Sequence, residues 1–579
     1  MYINASEKVK FERLGPYQER HFVPKNADLA QLEQIIELDE QLLSRELKTQ
    51  DELERWILDR SELESAIDQQ GTILYILMTC QTDDLLRSQS YKNFIETIVP
   101  AVKPLEDRLN KKYLNALEQI AIDEDRYGIY TREIRTDIEL FVEANVALET
   151  KVDLLSQEYQ TVCGAMTVEY EGREQTLPQM HKYLLEPARE VREQAWRATT
   201  RRRLKDAAKL DKLFADMLAL RHQIATNAGM DNFCDYKFKA LHRFDYTPLE
   251  CLEYHRTVER SVVPLWRQIL ERRRKTMRLE RLRPWDTSVD PLGRAALKPF
   301  ERVEQLTQGC QKIFHEVNAD LGGQFDLMIE SGLLDLASRK GKAPGGYQST
   351  LDESRKPFIF MNATDIDSDV RTLLHECGHA FHALACASDP LLDYRHGPME
   401  FNEVAAMGME LLADRYLNIF YQPDDEQRSR RKHFEDVIFT LVWVATIDAF
   451  QHGIYQDPHQ ECHQRCLLWL EIRKRFGAEI VDWTGLQEEH ARLWHQQLHI
   501  FEVPFYYIEY GIAQLGALQL WLNSKKDWGR TLQQYRAALG LGGSKPLPDL
   551  FKAAGIRFDF SEKAIVPLMN AVAKELNLT

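Results

Sequence analysis

Three features are missing from this 579-residue sequence: an excess of basic residues, a dense cysteine framework and a long uninterrupted apolar run. Lysine and arginine together number 74 against 90 aspartates and glutamates, so the formal net charge is −16. A negative electrostatic field of this kind repels the phosphates of nucleic acids. We therefore expect no nucleic-acid partner.

The other two absences concern secretion and membranes. Residues 1–24 carry polar and charged side chains throughout and lack the apolar segment of a signal peptide. The most apolar run, from Val437 to Phe450, contains Asp448 and is shorter than the 18 or so residues, about one membrane thickness, that a span needs. We expect it to form a buried helix and expect no membrane partner.

Nine scattered cysteines, an odd number, do not form the framework of a small secreted domain. Together these features predict a cytoplasmic protein.

What the sequence does contain is ordinary for a folded protein, with 44% hydrophobic and 28% charged residues. Apolar residues recur every three or four positions from Asp28 to Thr161, which predicts a stack of helices. The segment from Met166 to Tyr170 is followed by Glu171 and Gly172, a pattern typical of a β-hairpin. We place this hairpin near residues 166–177.

Strands are predicted to be few and local in the rest of the chain. A proline-bearing stretch, residues 282–299, breaks the helical periodicity and is predicted to be a loop. The apolar run from Pro357 to Met361 is short enough to be a strand and follows an irregular stretch from Gly341 to Tyr347. We expect a mainly α protein with an N-terminal helical lobe over residues 1–200 and a second domain over residues 201–579.

One segment of the second domain has the residue types and spacing of a reaction site. His375-Glu376-Cys377-Gly378-His379 matches the pattern H-E-x-x-H. On an α-helix two histidines four residues apart project from one face, where both rings can bind one Zn²⁺. Glu376 would then lie beside the metal without binding it, and its carboxylate could take a proton from water and deliver it to a leaving amine.

The helix that this motif requires is itself predicted. Asp367-Ser368-Asp369 supplies N-cap candidates and first-turn acids, and apolar residues continue at helical spacing as far as Leu384. Because the helix is so apolar, one alternative stays open, in which the two histidines are buried core residues paired to neighbours. Cys377 is predicted to fill space in the core, since apolar surroundings raise the pKa of a thiol and make it a poor nucleophile.

A catalytic zinc site usually has three protein ligands, so a third ligand is needed. The metzincin pattern would place Gly and His at the third and sixth positions after His379, where this sequence has His382 and Ala385. Downstream carboxylates remain as candidates. Glu403 and Glu410 are seven residues apart and so share one face of a helix.

Glu403 is the predicted third ligand. The small residues Ala405, Ala406 and Gly408 would allow its helix to approach the histidine helix closely. Glu410 is then placed to orient one histidine ring through a hydrogen bond, which fixes the tautomer of that ring. Glu400, three residues before Glu403 on the same face, stays open as a rival ligand.

The run from His375 to His382 and the run from Glu403 to Glu410 together resemble the thimet oligopeptidase and oligoendopeptidase F family of zinc metallopeptidases, of the gluzincin type. The second histidine and Glu403 are 24 residues apart, close to the spacing in that family. The resemblance covers most of residues 200–579, while the N-terminal helices match only in general character. Family members usually carry Ser three residues after the ligand Glu, and Ala406 departs from this.

The resemblance implies a mainly α, two-lobed helical bundle that encloses a deep substrate channel, with a small β-sheet near the active-site helix. It implies an endopeptidase with one Zn²⁺ per chain that hydrolyses internal bonds of short, unstructured oligopeptides. These peptides are the expected partners, and the oligomeric state stays open. The resemblance assigns catalytic roles to His499, Tyr507 and Tyr510, in addition to the role predicted for Glu376. Substrate-binding roles are predicted for Gly345, Tyr347, Phe360 and Tyr506.

The roles near the C-terminus have partial support from the residues themselves. Pro504 can open a helix on which Tyr510 shares a face with Tyr506 or with Tyr507. The spacing alone favours aromatic core packing. It is the resemblance that assigns His499 and Tyr510 to stabilise the oxyanion, and the choice between Tyr506 and Tyr507 stays open.

The segment from Pro357 to Met361 is expected to be a strand edge that pairs with the substrate backbone.

Several alternatives remain. A second zinc site in the run from His459 to Cys466, where Cys462 and Cys466 are one helical turn apart, is disfavoured because structural zinc needs four ligands from spaced pairs and no second pair lies near this run. A helical binding protein with an inactive zinc site is the rival class, although such a protein would have no need of Glu376. An aminopeptidase or carboxypeptidase is the rival among enzymes.

Overall fold

A computed structural model describes residue 11 and residues 14–339, 341–343 and 345–578. Most of the described residues lie in α-helices, which confirms the mainly α prediction. Pro344, from the predicted irregular stretch, and most of the first 13 residues, on which the signal-peptide prediction partly rests, lie outside the described residues.

The first half of the chain is helical on either side of a single hairpin. Its helices are α1 (Leu32–Ser44), α2 (Gln50–Cys80), α3 (Leu85–Asn93), α4 (Val99–Leu117), α5 (Glu124–Leu140), α6 (Glu143–Gly164), α7 (Leu177–Met180), α8 (Arg189–Lys205), α9 (Ala207–Asn227), α10 (Phe233–Ala240), α11 (Pro248–Ser261) and α12 (Val263–Thr276). The loop predicted over residues 282–299 contains one 3₁₀ turn, Pro284–Asp286.

The predicted hairpin is confirmed. Strands β1 (Thr167–Tyr170) and β2 (Arg173–Thr176) pair in antiparallel fashion. Glu171 and Gly172 join them with φ angles of 52° and 73°. A two-residue turn with positive φ at both positions matches the right-handed twist of the strands that it connects.

The second half of the chain adds a small sheet to a further set of helices. The elements are α13 (Val303–Val317), α14 (Ala319–Glu330), β3 (Leu334–Ala337), β4 (Tyr347–Leu351), β5 (Lys356–Ala363), α15 (Asp367–Cys386), α16 (Leu392–Arg395), α17 (Met399–Ala413), α18 (Pro423–Gln456), α19 (Cys462–Arg475), α20 (Gln487–Ala491), α21 (Leu498–Glu502), α22 (Ile508–Lys526), α23 (Trp528–Leu539), α24 (Leu547–Ala553) and α25 (Glu562–Glu575).

The sheet of three strands corrects one prediction. Its order is β3-β5-β4, with β3 parallel and β4 antiparallel to β5. The predicted strand from Pro357 to Met361 therefore exists within β5, but it is the central strand and its backbone is paired on both sides. The prediction that this segment forms a free edge is wrong. Its continuous apolar run fits a strand that is covered on both faces, and β4 lies at the edge instead.

The chain forms two compact units, each assembled from three separate segments. Unit 1 consists of Met1–Thr150, Phe300–Ile419 and Gly516–Phe558, and unit 2 consists of Lys151–Pro299, Phe420–Leu515 and Asp559–Thr579. The division that the sequence predicted, after residue 200, falls inside α8 and stays a prediction.

Within unit 1 the N-terminal helices share one apolar core with a segment that follows α15. Leu391 and Tyr394 belong to the same buried cluster as Trp56 on α2. The Tyr394 hydroxyl donates to the backbone carbonyl of Arg126 at 2.6 Å. The Arg126 guanidinium also forms an ion pair with Asp389 at 2.7 Å. The N-terminal helices are therefore an integral part of this unit.

Within unit 2 the longest helix is α18. It is the one helix in the described part of the chain that is long and apolar enough to cross a membrane, and 78% of its most apolar window is buried inside the protein. The run from Val437 to Phe450 lies within it. A helix at the centre of a packed protein has the same length and composition, which is the interpretation that the sequence favoured.

Candidate metal centre

Helix α15 carries the H-E-x-x-H motif and belongs to unit 1. Its N-cap residue is Ile366, so the capping prediction for residues 367–369 is wrong by one position. Asp369 nevertheless holds the start of the helix, because its carboxylate accepts the backbone N–H groups of Thr364 at 2.7 Å and Ile366 at 3.1 Å. This satisfies amide groups that precede the first helical turn.

Helix α17 packs directly against α15, and a glycine makes this possible. A Cβ atom placed on Gly378 would lie 2.5 Å from the Cα of Ala406 and 2.6 Å from the carbonyl oxygen of Ala405. The close approach was predicted from the small residues of α17. Gly408 does not contribute to it, however, because it faces Leu520 and Tyr535.

Three side chains from these two helices converge on one point. The Oε2 atom of Glu403 lies 3.5 Å from Nε2 of His375 and 3.8 Å from Nε2 of His379. Ligand atoms bound at about 2.0–2.1 Å to a tetrahedral Zn²⁺ lie roughly 3.3 Å apart. Two imidazoles and one carboxylate at this spacing therefore fit a zinc ion with three protein ligands.

A second carboxylate supports the first histidine. Oε1 of Glu410 lies 2.7 Å from Nδ1 of His375, on the side of the ring that faces away from Glu403. Burial disfavours the charged form of His375, but the hydrogen bond and the charge of Glu410 raise its pKa to about 10. Burial lowers the pKa of His379 well below the usual value, and its ring contacts the backbone of Asn402.

Glu376 lies on α15 next to this group but is not one of its three members. Its side chain is mostly shielded, since the residue is only 7% exposed. Burial raises the pKa of its carboxyl group to about 7, and a hydrogen bond from the backbone of Gln348 opposes this rise. A carboxyl group with a pKa near neutrality can both accept and release a proton.

The rival ligand does not join the group. Glu400 is buried on α17, one turn before Glu403, yet the residues that converge within metal-binding distance are His375, His379 and Glu403. The structure thus brings the predicted ligand set together around Glu403. All nine cysteines are free, and Cys462 and Cys466 belong to neither of the two candidate metal groups found among the described residues.

The predicted substrate-binding residues of unit 1 lie at the sheet beside α15. Gly345 precedes β4 and has a φ of 94°. Tyr347 on β4 stacks on Phe360 of β5, with ring centroids 4.8 Å apart, and its hydroxyl contacts Thr79 at 2.6 Å. Phe360 is fully buried beneath this ring and the Lys342 ammonium. The side chain of Phe360 is therefore shielded from solvent, and its substrate-binding role stays a prediction.

The four predicted residues near the C-terminus cluster within unit 2. The ring centroid of His499 lies 5.9 Å from Tyr506, 4.9 Å from Tyr507 and 5.7 Å from Tyr510. Nε2 of His499 lies 3.4 Å from the Tyr510 hydroxyl. Burial lowers the pKa of His499 to about 4 and raises that of Tyr507 to about 12.

The backbone beneath these tyrosines differs from the prediction. Pro504 does not open a helix, because α22 begins only at Ile508 and Phe505 has a φ of 65°. Tyr506 and Tyr507 lie in the turn before α22. The turn nevertheless brings both of them to Tyr510, with ring centroids 5.4 Å and 5.2 Å away.

Two supporting residues were not found by sequence reasoning. The Tyr535 hydroxyl donates to the carbonyl of Ala405 at 2.6 Å and so holds α17 from its other side. The buried Arg371 on α15 forms an ion pair with Asp414 at 2.8 Å, just beyond the end of α17. Tyr535 gives no local signal because it is 130 residues from its partner. An arginine within the apolar pattern of α15 was the available signal for the ion pair.

Comparison with known proteins gives two kinds of match in sequence. The family described as Peptidase family M3 matches residues 182–567. An oligoendopeptidase F homolog from Borreliella burgdorferi is 23% identical over 316 residues, which are 52% of this chain and 51% of the relative. Oligopeptidase PepF from Bacillus subtilis is 23% identical over 307 residues, which are 51% of this chain and 44% of that protein. The matched region thus spans about half the length of these curated relatives.

Solved structures match over nearly the whole chain. A protein described as an oligoendopeptidase F is 26% identical, with a TM-score of 0.90 and coverage of 97% of this chain and 99% of the other. PZ peptidase A, solved with an inhibitor, is 25% identical, with a TM-score of 0.90 and coverage of 96% and 99%. A third structure, from Bacillus anthracis str. Ames, is 22% identical with a TM-score of 0.85, covers 97% of this chain and 99% of its own, and shows the same fold.

Proposed function

This chain belongs to peptidase family M3, and from that premise we propose that it is a zinc-dependent endopeptidase that cleaves internal bonds of short, unstructured oligopeptides. Membership of the family makes the chain a peptidase. The observation that carries the finer proposal is the convergence of His375, His379 and Glu403 on one point, with Glu376 beside them.

In this proposal the three converging side chains hold one Zn²⁺. When bound, zinc polarises the scissile carbonyl and lowers the pKa of water. Glu410 accepts a hydrogen bond from the Nδ1–H group of His375, which leaves Nε2 of that ring free to bind the metal. The structural support is that Glu410 and Glu403 lie on opposite nitrogens of the same ring.

Glu376 is the proposed general base and then the general acid. Its carboxylate oxygen accepts a proton from the attacking water and later releases it to the nitrogen of the leaving amine. Both transfers need a group whose pKa lies close to the working pH. The burial that raises the pKa of Glu376 toward neutrality supports this assignment.

His499 and a tyrosine are the proposed stabilisers of the oxyanion. The amide of Gln497 lies 2.8 Å from Nδ1 of His499, and when Nδ1 accepts that hydrogen bond the ring proton is on Nε2. A neutral ring with this tautomer can donate a hydrogen bond to negative charge that develops on the substrate. Tyr510 and Tyr507 each offer a phenol next to the ring, and the choice between them is left to mutagenesis.

The peptide backbone is proposed to bind along the edge of β4. This strand lies at the edge of its sheet, and its residue Gln348 contacts the Glu376 carboxylate through the backbone. An extended peptide that adds to such an edge is held by main-chain hydrogen bonds, which favours unfolded substrates over folded proteins. We further propose a cytoplasmic location and substrates limited to peptides.

The test is cleavage of an internally quenched peptide of about ten residues, with products identified by mass spectrometry. We expect the wild-type protein to cut an internal bond and Glu376→Gln to retain zinc but lose nearly all activity. Glu403→Gln should lose zinc, whereas the neighbouring Glu400→Gln should keep both zinc and activity. Release of single terminal residues would favour the exopeptidase alternative. A wild-type protein that holds zinc and cleaves no peptide would favour the binding-protein alternative.

A further inference from the structure

A second group of metal-binding side chains lies inside unit 2, where α11 and α18 pack together. Cys251 and His255 are one helical turn apart on α11. Asp448 and His452 are one turn apart on α18. Residues four apart on a helix share a face, so each helix presents one pair of donors. Both pairs are buried.

Three of these residues meet the geometric requirement of a metal site. One ligand atom from each of Cys251, Asp448 and His452 lies within 4.8 Å of the other two, as in the group at His375. Nε2 of His452 lies 3.3 Å from Oδ2 of Asp448. That separation is the one expected for two atoms bound to the same tetrahedral ion.

The surroundings leave a buried negative charge without full compensation. Asp448 is 0% exposed, and its hydrogen-bond and ion-pair partners are two imidazoles. His255 holds Oδ2 at 2.7 Å, while Oδ1 of Asp448 and Nδ1 of His255 have no hydrogen-bond partner. Burying a carboxylate oxygen without a partner is costly. A bound cation would remove this cost.

The donor types indicate which cations would fit. A thiolate, an imidazole and a carboxylate suit Zn²⁺ or Co²⁺ and are poor ligands for Mg²⁺ or Ca²⁺, which prefer oxygen alone. We propose that Cys251, Asp448 and His452 form a second site for a divalent transition metal, separate from the proposed catalytic centre. His255 positions the Asp448 carboxylate. On binding, the thiol proton of Cys251 passes to solvent and the sulfur bonds to the metal.

Cobalt provides a direct test, because a thiolate bound to Co²⁺ gives a charge-transfer absorption in the near ultraviolet. The proposed catalytic centre has only nitrogen and oxygen donors, so the band would report the second site alone. The full-length protein is treated with a chelator, reloaded with Co²⁺ and measured for its spectrum and its metal content. We expect the band and two Co²⁺ ions per chain, one at each site.

Variants separate the two sites. His379→Ala should lose one Co²⁺ and keep the band, and Cys251→Ser should lose the band and one Co²⁺ while still cleaving peptide. Cys310→Ser is the matched control, since Cys310 is an equally buried cysteine in unit 1 and should keep both. The proposal is overturned if the cobalt-loaded wild-type protein shows no thiolate band, a result that does not depend on whether any variant folds. It is also overturned if Cys251→Ser keeps the band.

Discussion

At the scale of single residues, the glutamates around α15 share one chemistry and differ in position, and the roles proposed for them rest on that difference. Glu403 faces the Nε2 atoms of two imidazoles, Glu410 holds Nδ1 of one of them, and Glu376 lies beside the group with a pKa raised by burial. The same carboxylate chemistry can thus serve as metal ligand, ring-orienting acceptor and proton carrier. The role proposed for each glutamate follows from the helix face that carries it.

Glu410→Gln should weaken zinc binding without abolishing catalysis. A glutamine cannot carry the negative charge that raises the basicity of His375, and loss of such a partner lowers metal affinity by about 10–100-fold. Zinc affinity is measured by competition with a chelating dye, and activity is measured at saturating zinc. If affinity is unchanged while saturated activity falls to the level of Glu376→Gln, Glu410 acts on the substrate instead.

A buried acid in unit 1 makes stability depend on pH. Burial, and next the negative charge of Glu64, raise the pKa of Asp39 from 3.8 to about 7. The unfolded chain releases this proton near pH 4, while the folded protein keeps it up to about pH 7. The free energy of unfolding therefore falls as the pH rises between these values.

Asp39→Asn should remove this dependence. At pH 8 the variant should be more stable than the wild type by about 1–2 kcal/mol, and at pH 5 the gain should be smaller. Thermal unfolding at both pH values measures the effect. Glu37→Gln, on the exposed face of the same helix, is the control and should change neither midpoint. An equal gain at both pH values would contradict the assignment to Asp39 ionisation.

At the scale of secondary-structure elements, the site depends on how closely α15 and α17 pack. Gly378→Ala would place a methyl group 2.5 Å from the Cα of Ala406, where only backbone movement can relieve the clash. We expect a loss of about 2–3 kcal/mol in unfolding free energy and weaker zinc binding, because the movement separates His379 from Glu403.

Gly323→Ala is the matched control for that substitution. Gly323 is also inside a helix of unit 1, but a Cβ atom there would meet nothing within 4 Å. Greater helix propensity should make this variant more stable by about 0.5–1 kcal/mol. Urea unfolding of both variants, together with zinc content, checks the pair. Equal effects at the two positions would mean that the contact with Ala406 is unimportant.

Some features of the secondary-structure elements could be predicted from the sequence alone, and others could not. The helices, the hairpin at Glu171 and Gly172, and the strand within β5 follow from local periodicity and turn residues. The order of strands in the sheet does not, because pairing joins residues that periodicity cannot relate. The burial of Phe360 beneath Tyr347 could not be predicted for the same reason, because an apolar strand residue gives no sign of which ring will cover it.

In the candidate site, too, some residues follow from local sequence patterns and others do not. His375, Glu376, His379 and Glu403 follow from spacing on two helices, since residues three, four or seven apart share a face. The turn at Phe505 could not be predicted, because Pro504 fits a helix start and a turn equally well. The pair of Asp448 and His452 was not predicted, because Asp448 was considered only as an interruption of the apolar run and His452 lies beyond the end of that run.

At the scale of the whole molecule, the family match begins at residue 182, but the core of unit 1 does not. Leu391 and Tyr394 pack against helices from the first 150 residues, and Asp389 pairs with Arg126. We therefore expect a fragment of residues 182–567 to be insoluble or unfolded when produced alone. Circular dichroism and gel filtration measure this, with the full-length chain as control. A monomeric, folded and active fragment would contradict the shared core.

Both units are built from segments far apart in the sequence, and this affects how the protein would respond to a nick. A single proteolytic cut in the loop at residues 282–299 leaves two pieces, and each piece supplies segments to both units. The pieces would be held by their shared cores rather than by the peptide bond. A nicked sample would run as two bands in denaturing gels, elute as one species in native chromatography and keep its activity.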